Sequence, residues 1–233
     1  GGMAKGSGMI HPNMATMLGF LTTDVNISRE MLIKVLKDST SDSYNMISVD
    51  GDTSTNDMVC IMANGEANNK VIDCENEDYY KFKDALDYVN KELAKMIVKD
   101  GEGASKFIEV QIHGASSKET GKILCKSILT SSLVKTAFFG EDANWGRIMC
   151  AMGYSGAKFN QNKVTIKFKS KFGEITLMNS GTPIIFDEEK AAEVLKAEEI
   201  FIHIQLMDGN KEAVGWGCDL SYEYVRINGE YRS

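Results

Sequence analysis

The chain of 233 residues is 43% hydrophobic and 25% charged, which supports a sizeable folded core and excludes a disordered protein. Lys and Arg number 26 against 33 Asp and Glu, and the net charge of −7 argues against a nucleic-acid or anionic-membrane surface. No apolar run approaches the ~20 residues of a membrane span.

The first informative stretch is Lys5 to Asp24, KGSGMIHPNMATMLGFLTTD. Small residues (Gly6, Ser7, Gly8) lead to a stiff His11-Pro12-Asn13 corner and then to Ala15-Thr16. An apolar run, Met17 to Leu21, follows and stops at Thr22-Thr23-Asp24. This pattern predicts a flexible arm that delivers Thr16 to the start of a buried strand. A cut before Thr16 would leave one residue with a hydroxyl nucleophile and a free amine as its base. The alternative from spacing alone is a loop entering an edge strand, with Thr16 present for β-propensity.

Ser28 is placed to cap a helix with apolar Leu32, Val35 and Leu36, which the polar residues 39–44 end. Ile47-Ser48-Val49 and Met58 to Ala63 read as strands around the polar loop DGDTSTND, residues 50–57. That loop lacks the glycine and terminal glutamate of a calcium loop. The longest helix is expected over about Tyr79 to Val98, with Phe82, Leu86, Val89, Leu93 and Met96 at helical spacing. Gly101 stops it within DGEGA, and a strand from Lys106 to His113 follows. Lys118 to Leu133 reads as one helix. Ser116 in place of the first glycine, and Ile123 after the lysine, rule out a phosphate loop over 114–122. After GEDANWGR (140–147) comes a short helix to about Met152. Val164–Phe168 and Glu174–Met178 form a hairpin across Lys171-Phe172-Gly173. Asp187 caps a helix to about Lys196, and Phe201–Met207 is expected to pair with Glu212–Gly217 around Asp208-Gly209-Asn210. The tail from Asp219 is polar and aromatic. The class is α+β, with sheets stacked between helices.

Five cysteines (Cys60, Cys74, Cys125, Cys150, Cys218) are odd in number and show no CxxC spacing, so free thiols in a reducing cytoplasm are expected. His11, His113 and His203 stand far apart, with the last two in strands, and no metal site is expected. The chain opens Gly1-Gly2 with neither an initiator Met nor a signal pattern, which leaves a processed product or a fragment.

Taken in order, KGSGMIHPNMATML, DGDTSTND, DGEGASKFIEV, GEDANWGRI and YEYVRINGEYRS closely resemble the ornithine acetyltransferase family of arginine biosynthesis, also called bifunctional glutamate N-acetyltransferase. The resemblance runs from Lys5 to Ser233. It implies an αββα-like stack of sheets between helices, shared with self-processing threonine- and serine-nucleophile aminopeptidases. It further implies cleavage between Ala15 and Thr16, so that 1–15 ends an N-terminal (alpha) piece and 16–233 is the C-terminal (beta) piece, of one or two lobes. Thr16 would be the nucleophile that carries acetyl from N2-acetyl-L-ornithine to L-glutamate. Lys5, Glu102, Asn228 and Ser233 match the family's substrate-binding positions. No cofactor is implied, although bifunctional members also take acetyl-CoA as donor. The implied partner is the N-terminal piece, in a dimer of cleaved pairs in the cytoplasm. Asp142, Asn144, Trp145 and Arg147 either shape the structure around the site or touch substrate.

Ala143 stands where the family usually has proline, and Met58 where threonine commonly follows DTSTND. Family precursors also carry a long N-terminal portion whose Thr-Gly pair forms the oxyanion hole, and here only fifteen residues precede Thr16. Two other readings therefore stand beside transfer. One is a threonine-nucleophile aminopeptidase or hydrolase that passes the acyl group to water. The other is a non-catalytic fragment that requires its N-terminal half.

Overall fold

The computed structural model describes residues 1–12 and 17–231. Among them the chain forms a three-stranded and a seven-stranded sheet with helices packed on both, the α+β class expected. In the smaller sheet β2 (Leu18–Thr23) lies between β1 (Gly2–Lys5), antiparallel, and β4 (Met58–Ala63), parallel. Helix α1 (Arg29–Ser41) follows β2, and Ser28 caps it by accepting the Met31 N–H at 3.3 Å. Leu21, Val35, Ile72, Tyr79 and Leu86 close a small core under this sheet.

The larger sheet runs β3 (Ile47–Ser48), β10 (Lys211–Cys218), β5 (Phe107–Ala115), β9 (Glu199–Gln205), β6 (Thr165–Ser170), β7 (Gly173–Asn179), β8 (Thr182–Pro183). On β5, Ile108, Val110 and Ile112 are buried and alternate with the half-buried Glu109, Gln111 and His113, so one face carries the core. Helix α3 (Lys118–Thr130) presses Leu124, Cys125, Ile128 and Leu129 onto that face. The contact is close because β10 offers Gly215 and Gly217 there; a Cβ would meet Leu129 at 2.9 and 2.8 Å. Helix α2 (Glu77–Lys99) packs against β1 of the smaller sheet and β3 and β10 of the larger.

Several expectations needed correction. Helix α2 buries Tyr79, Leu86, Asn90, Ala94, Ile97 and Val98, whereas Met96 is 62% exposed, because a helix that touches both sheets buries more than one stripe. The helix expected over 118–133 is two. Ser131 is extended (ψ 110) and its hydroxyl caps α4 (Ser132–Phe139). β9 and β10 do not pair with each other: β5 lies between them, parallel to β9 and antiparallel to β10. The chain leaving β9 folds over the end of β5, where Leu206 and Asp208 donate to the His113 and Gly114 carbonyls at 2.8 and 3.0 Å. Gly114 (φ +74) admits this, since a Cβ would lie 2.1 Å from the Leu206 carbonyl oxygen. The polar tail contains α7 (Tyr222–Glu230), capped by Ser221 and laced by Arg226 to Glu223 and Glu230. The 171–173 hairpin between β6 and β7, and the Asp187 cap of α6 (Glu188–Leu195), are as expected.

Candidate active site

The arm between β1 and β2 is the organising segment, since the antiparallel pairing returns it to the same end of the smaller sheet. Lys5 ends β1 in register with Leu18, so this exposed lysine stands one strand away from the chain just after Thr16. Ala15, Thr16 and Ser233, together with the cleavage site, lie outside the described residues.

The polar loop 50–57 joins β3 of the larger sheet to β4 of the smaller and meets the arm on the way. Asp50 accepts the Met9 and Ile10 N–H groups at 2.7 and 3.0 Å, and Thr53 Oγ donates to the His11 carbonyl at 3.0 Å. On the far side of Thr16, Met17 N–H donates to Asp57 Oδ1, and Met58 N–H donates to the Met17 carbonyl at 2.9 Å. Asp50 is further held by the Asp52 N–H at 3.1 Å and the Tyr224 hydroxyl at 3.4 Å. Burial, with Asp50 second, pushes the Tyr224 phenol up to about 12, so it stays a donor near neutral pH. Burial, reinforced by Lys126, pulls His11 below the ordinary histidine value; its Nδ1 lies 3.2 Å from the Ser48 hydroxyl.

Glu102 and Asn228 are brought together, with Asn228 Nδ2 donating to Glu102 Oε2 at 3.0 Å. The 101–103 turn touches the N-terminal turn of α7, where Ser221 Oγ donates to the Gly103 carbonyl at 2.6 Å. Gly103 (φ +65) is required, because a Cβ would lie 2.4 Å from the Tyr224 nitrogen. Glu102 N–H donates to the Ser7 carbonyl at 3.0 Å, and the Glu102 carboxylate lies directly over Gly8. The arm, the 102 turn and α7 therefore meet at one place. Among the described residues no hydrogen bond or ion pair joins Lys5 to Glu102 or Asn228.

The loop 140–147 builds a corner. Asn144 caps α5 (Trp145–Tyr154) by accepting the Arg147 N–H at 3.1 Å and donates to Asp142 at 2.9 Å. Arg147 donates to the Leu133 carbonyl of α4 at 2.8 Å, and Trp145 packs on the core. Sequence reasoning missed Asp50, Asp57 and Tyr224. Asp50 and Asp57 are two of the three acids of DGDTSTND, a polar loop whose side chains could face a site, but nothing local shows that they face a separate segment.

A cleft of about 360 Å³ borders this region, lined by Pro12, Met17, Thr40, Tyr44, Asp57 and Met58. A larger one of about 530 Å³, beside Thr23 and Phe82, holds none of these residues. The smaller cleft is the one that holds Pro12 and Met17, the described residues that bound 13–16. No group of three or more His, Cys, Asp or Glu side chains suited to a metal occurs among the described residues, and no helix there is long and apolar enough to cross a membrane.

The fold has a solved counterpart. The chain aligns with the crystal structure of the arginine biosynthesis bifunctional protein argJ from Bacillus halodurans with a TM-score of 0.88 and 46% identity, covering 93% of this chain and 100% of that one. The architecture is thus that of the arginine biosynthesis bifunctional protein chain it aligns with. A model described as the ArgJ family matches residues 1–233, and the chain belongs to the ArgJ family. It is 55% identical over 231 residues to arginine biosynthesis bifunctional protein ArgJ 1 of Clostridium acetobutylicum, covering 99% of this chain and 57% of that protein. It is 54% identical over 232 residues to the ArgJ protein of Caldanaerobacter subterraneus subsp. tengcongensis, covering 100% and 58%. The chain therefore spans well under two thirds of the length of these relatives.

Proposed function

We propose that this chain carries the C-terminal piece of an acetyltransferase that moves acetyl from N2-acetyl-L-ornithine to L-glutamate through an acetyl-threonine. The observation that carries the reading is the meeting of Glu102 and Asn228 against the arm that leads to Thr16, in a chain of the ArgJ family. After cleavage at Ala15-Thr16 the Thr16 α-amine takes the hydroxyl proton as Oγ attacks the acetyl carbonyl, an α-amine being a base suited to neutral pH. The C–N bond breaks, the leaving amine receives the proton, and ornithine departs. The glutamate α-amine then attacks the ester and restores the hydroxyl. One amide replaces another of nearly equal energy, so the exchange needs no ATP. Lys5 supplies the cation for the amino-acid carboxylate common to both substrates. Glu102, oriented by Asn228, pairs with a substrate amine, and Ser233 completes the pocket.

The division of labour follows the cut: 1–15 belongs to the N-terminal piece and 16–233 to the other. Residues 16–233 make up a share of this chain close to the 93% that the fully matched Bacillus halodurans chain takes up. The outer face of the smaller sheet supports an N-terminal partner piece. Met3, Phe20, Met58 and Met62 stand exposed there in adjacent register rows, with Cys60 beside Phe20. We place the assembled enzyme, a dimer of cleaved pairs, in the cytoplasm.

The test supplies acetylornithine to the full-length protein and looks for acetyl on the Thr16 peptide by mass spectrometry. Glutamate should discharge it as acetylglutamate; release as acetate would instead identify a hydrolase, and an unlabelled Thr16 would refute the covalent route. Acetyl-CoA in a parallel arm shows whether it also serves as donor.

A further inference from the structure

Resting on that reading, we propose that the loop 50–57 is a clamp that grips the chain on both sides of the Ala15-Thr16 bond, with Asp57 positioning the nucleophile and Asp50 holding the upstream piece for cleavage. Upstream, one carboxylate takes two consecutive backbone N–H groups, Met9 and Ile10 at 2.7 and 3.0 Å, and Thr53 holds the His11 carbonyl at 3.0 Å. Downstream, Asp57 takes the Met17 N–H while Met58 holds the Met17 carbonyl at 2.9 Å. One short loop thus holds His11 and Met17, described residues on either side of Thr16.

The downstream grip bears on the chemistry. The Met17 N–H belongs to the peptide whose carbonyl is that of Thr16. Because this peptide is planar, fixing its N–H restricts how Thr16 faces its target. The clamp is itself anchored. Asp50 receives the Tyr224 hydroxyl at 3.4 Å, from the helix that also carries Asn228, and the Lys135 ammonium holds the preceding Val49 carbonyl at 2.6 Å. Buried Lys135 also donates to the Cys218 carbonyl, which ties the loop to β10. A loop that merely linked β3 to β4 would have no use for two carboxylates aimed at the backbone of a separate segment.

The two acids divide at the cut. Asp50 grips the upstream piece, which ends at Ala15 after cleavage, while Asp57 grips the piece that keeps Thr16. Asp57→Ala should slow both self-cleavage and transfer about 10- to 100-fold in rate, with KM within about threefold, as expected for a misplaced rather than missing nucleophile. Asp57→Asn keeps an oxygen that accepts the Met17 N–H and should restore most of the rate. Asp50→Asn can accept only one of its two N–H groups. It should slow cleavage about 10-fold or more, yet leave kcat within about threefold, with a raised KM, when the two pieces are supplied already separate.

The experiment uses the full-length protein and reads processing by gel, kcat and KM for acetylornithine, and amide exchange of the peptide spanning Met17. That amide should lose protection in Asp57→Ala whatever the activity. Asp57→Ala that cuts and transfers within about twofold of wild type, or Asp57→Asn as impaired as Asp57→Ala, overturns the clamp. If Asp57→Ala does not fold, Thr53→Val is read in its place. Slowed cleavage at an unchanged melting temperature supports the clamp, and unchanged cleavage overturns it. A wild-type protein that neither cuts nor transfers sinks the acetyl-transfer reading; a competent wild type beside an unaffected Asp57→Ala sinks the clamp alone.

Discussion

Replacing Gly8 by alanine tests the role of Glu102 without touching it. A Cβ at Gly8 would lie 2.4 Å from Glu102 Cδ and Oε2 and 2.5 Å from Oε1. Gly8 is not among the glycines with positive φ, so alanine meets no backbone strain there, and the three atoms nearest its Cβ all belong to the end of a flexible side chain. Glu102 must swing away and give up its 3.0 Å bond from Asn228. That exposed bond contributes no more than about 1 kcal/mol, and Gly→Ala recovers about 0.4–1 kcal/mol from the unfolded chain. The melting temperature should therefore move by no more than about 2–4 °C. If Glu102 pairs with a substrate amine, a charge-assisted contact of about 1.5–3 kcal/mol is lost, which is about 10- to 150-fold in kcat/KM. Thermal unfolding by circular dichroism and steady-state kinetics with both substrates read the two effects separately. Glu102→Gln added to Gly8→Ala should cost little more than either change alone. Unchanged kcat/KM, alongside a Glu102→Ala variant that loses activity, would refute the reasoning, as would a large fall in melting temperature.

Gly103→Ala is the contrasting case. It combines φ +65 with a Cβ 2.4 Å from the Tyr224 backbone nitrogen, so α7 must shift; a loss of about 2 kcal/mol or more and a melting temperature lower by about 4–8 °C are expected by calorimetry. Burial and Lys126 hold His11, and burial and Lys169 hold His203, below the ordinary value of 6.5. The unfolded state then binds more protons, so their contribution is full above pH 6.5 and is lost as pH falls through 6.5 toward the lowered folded values. Urea midpoints from pH 8 to 5 should decline below that point, and less so in His11→Gln. A thiol reagent should label exposed Cys74 and Cys150 quickly, and Cys125 and Cys218 only on unfolding. Cys60 should react in the isolated chain and be protected once the N-terminal piece is added; equal rates would refute a partner on that face.

Much of the local structure was legible because its causes act over a few residues. Ser28 and Asp187 announce helix starts by their caps, residues 171–173 announce a hairpin, and the apolar run after Thr16 announces β2, although β2 is half-buried with Phe20 exposed and not the buried strand expected. The association of Lys5, Glu102, Asn228 and Ser233 with a site came from the family pattern, since no local spacing relates residues so far apart. Tertiary structure decided the rest. Nothing local tells β10 to pair with β5 rather than β9, because any extended segment offers the same N–H and C=O groups and the choice depends on the helix packed beneath. α7 buries no residue among those described, so it shows no apolar stripe to read; its Ser221 cap ties it to the 102 turn, and the Arg–Glu pairs brace the helix internally. The closeness of Glu102 to Asn228 rests on Gly8, which leaves room for the Glu102 carboxylate, and on Gly103, which lets the 102 turn touch the α7 backbone. In sequence those glycines look like any others, since only the packed neighbour reveals what a side chain would displace.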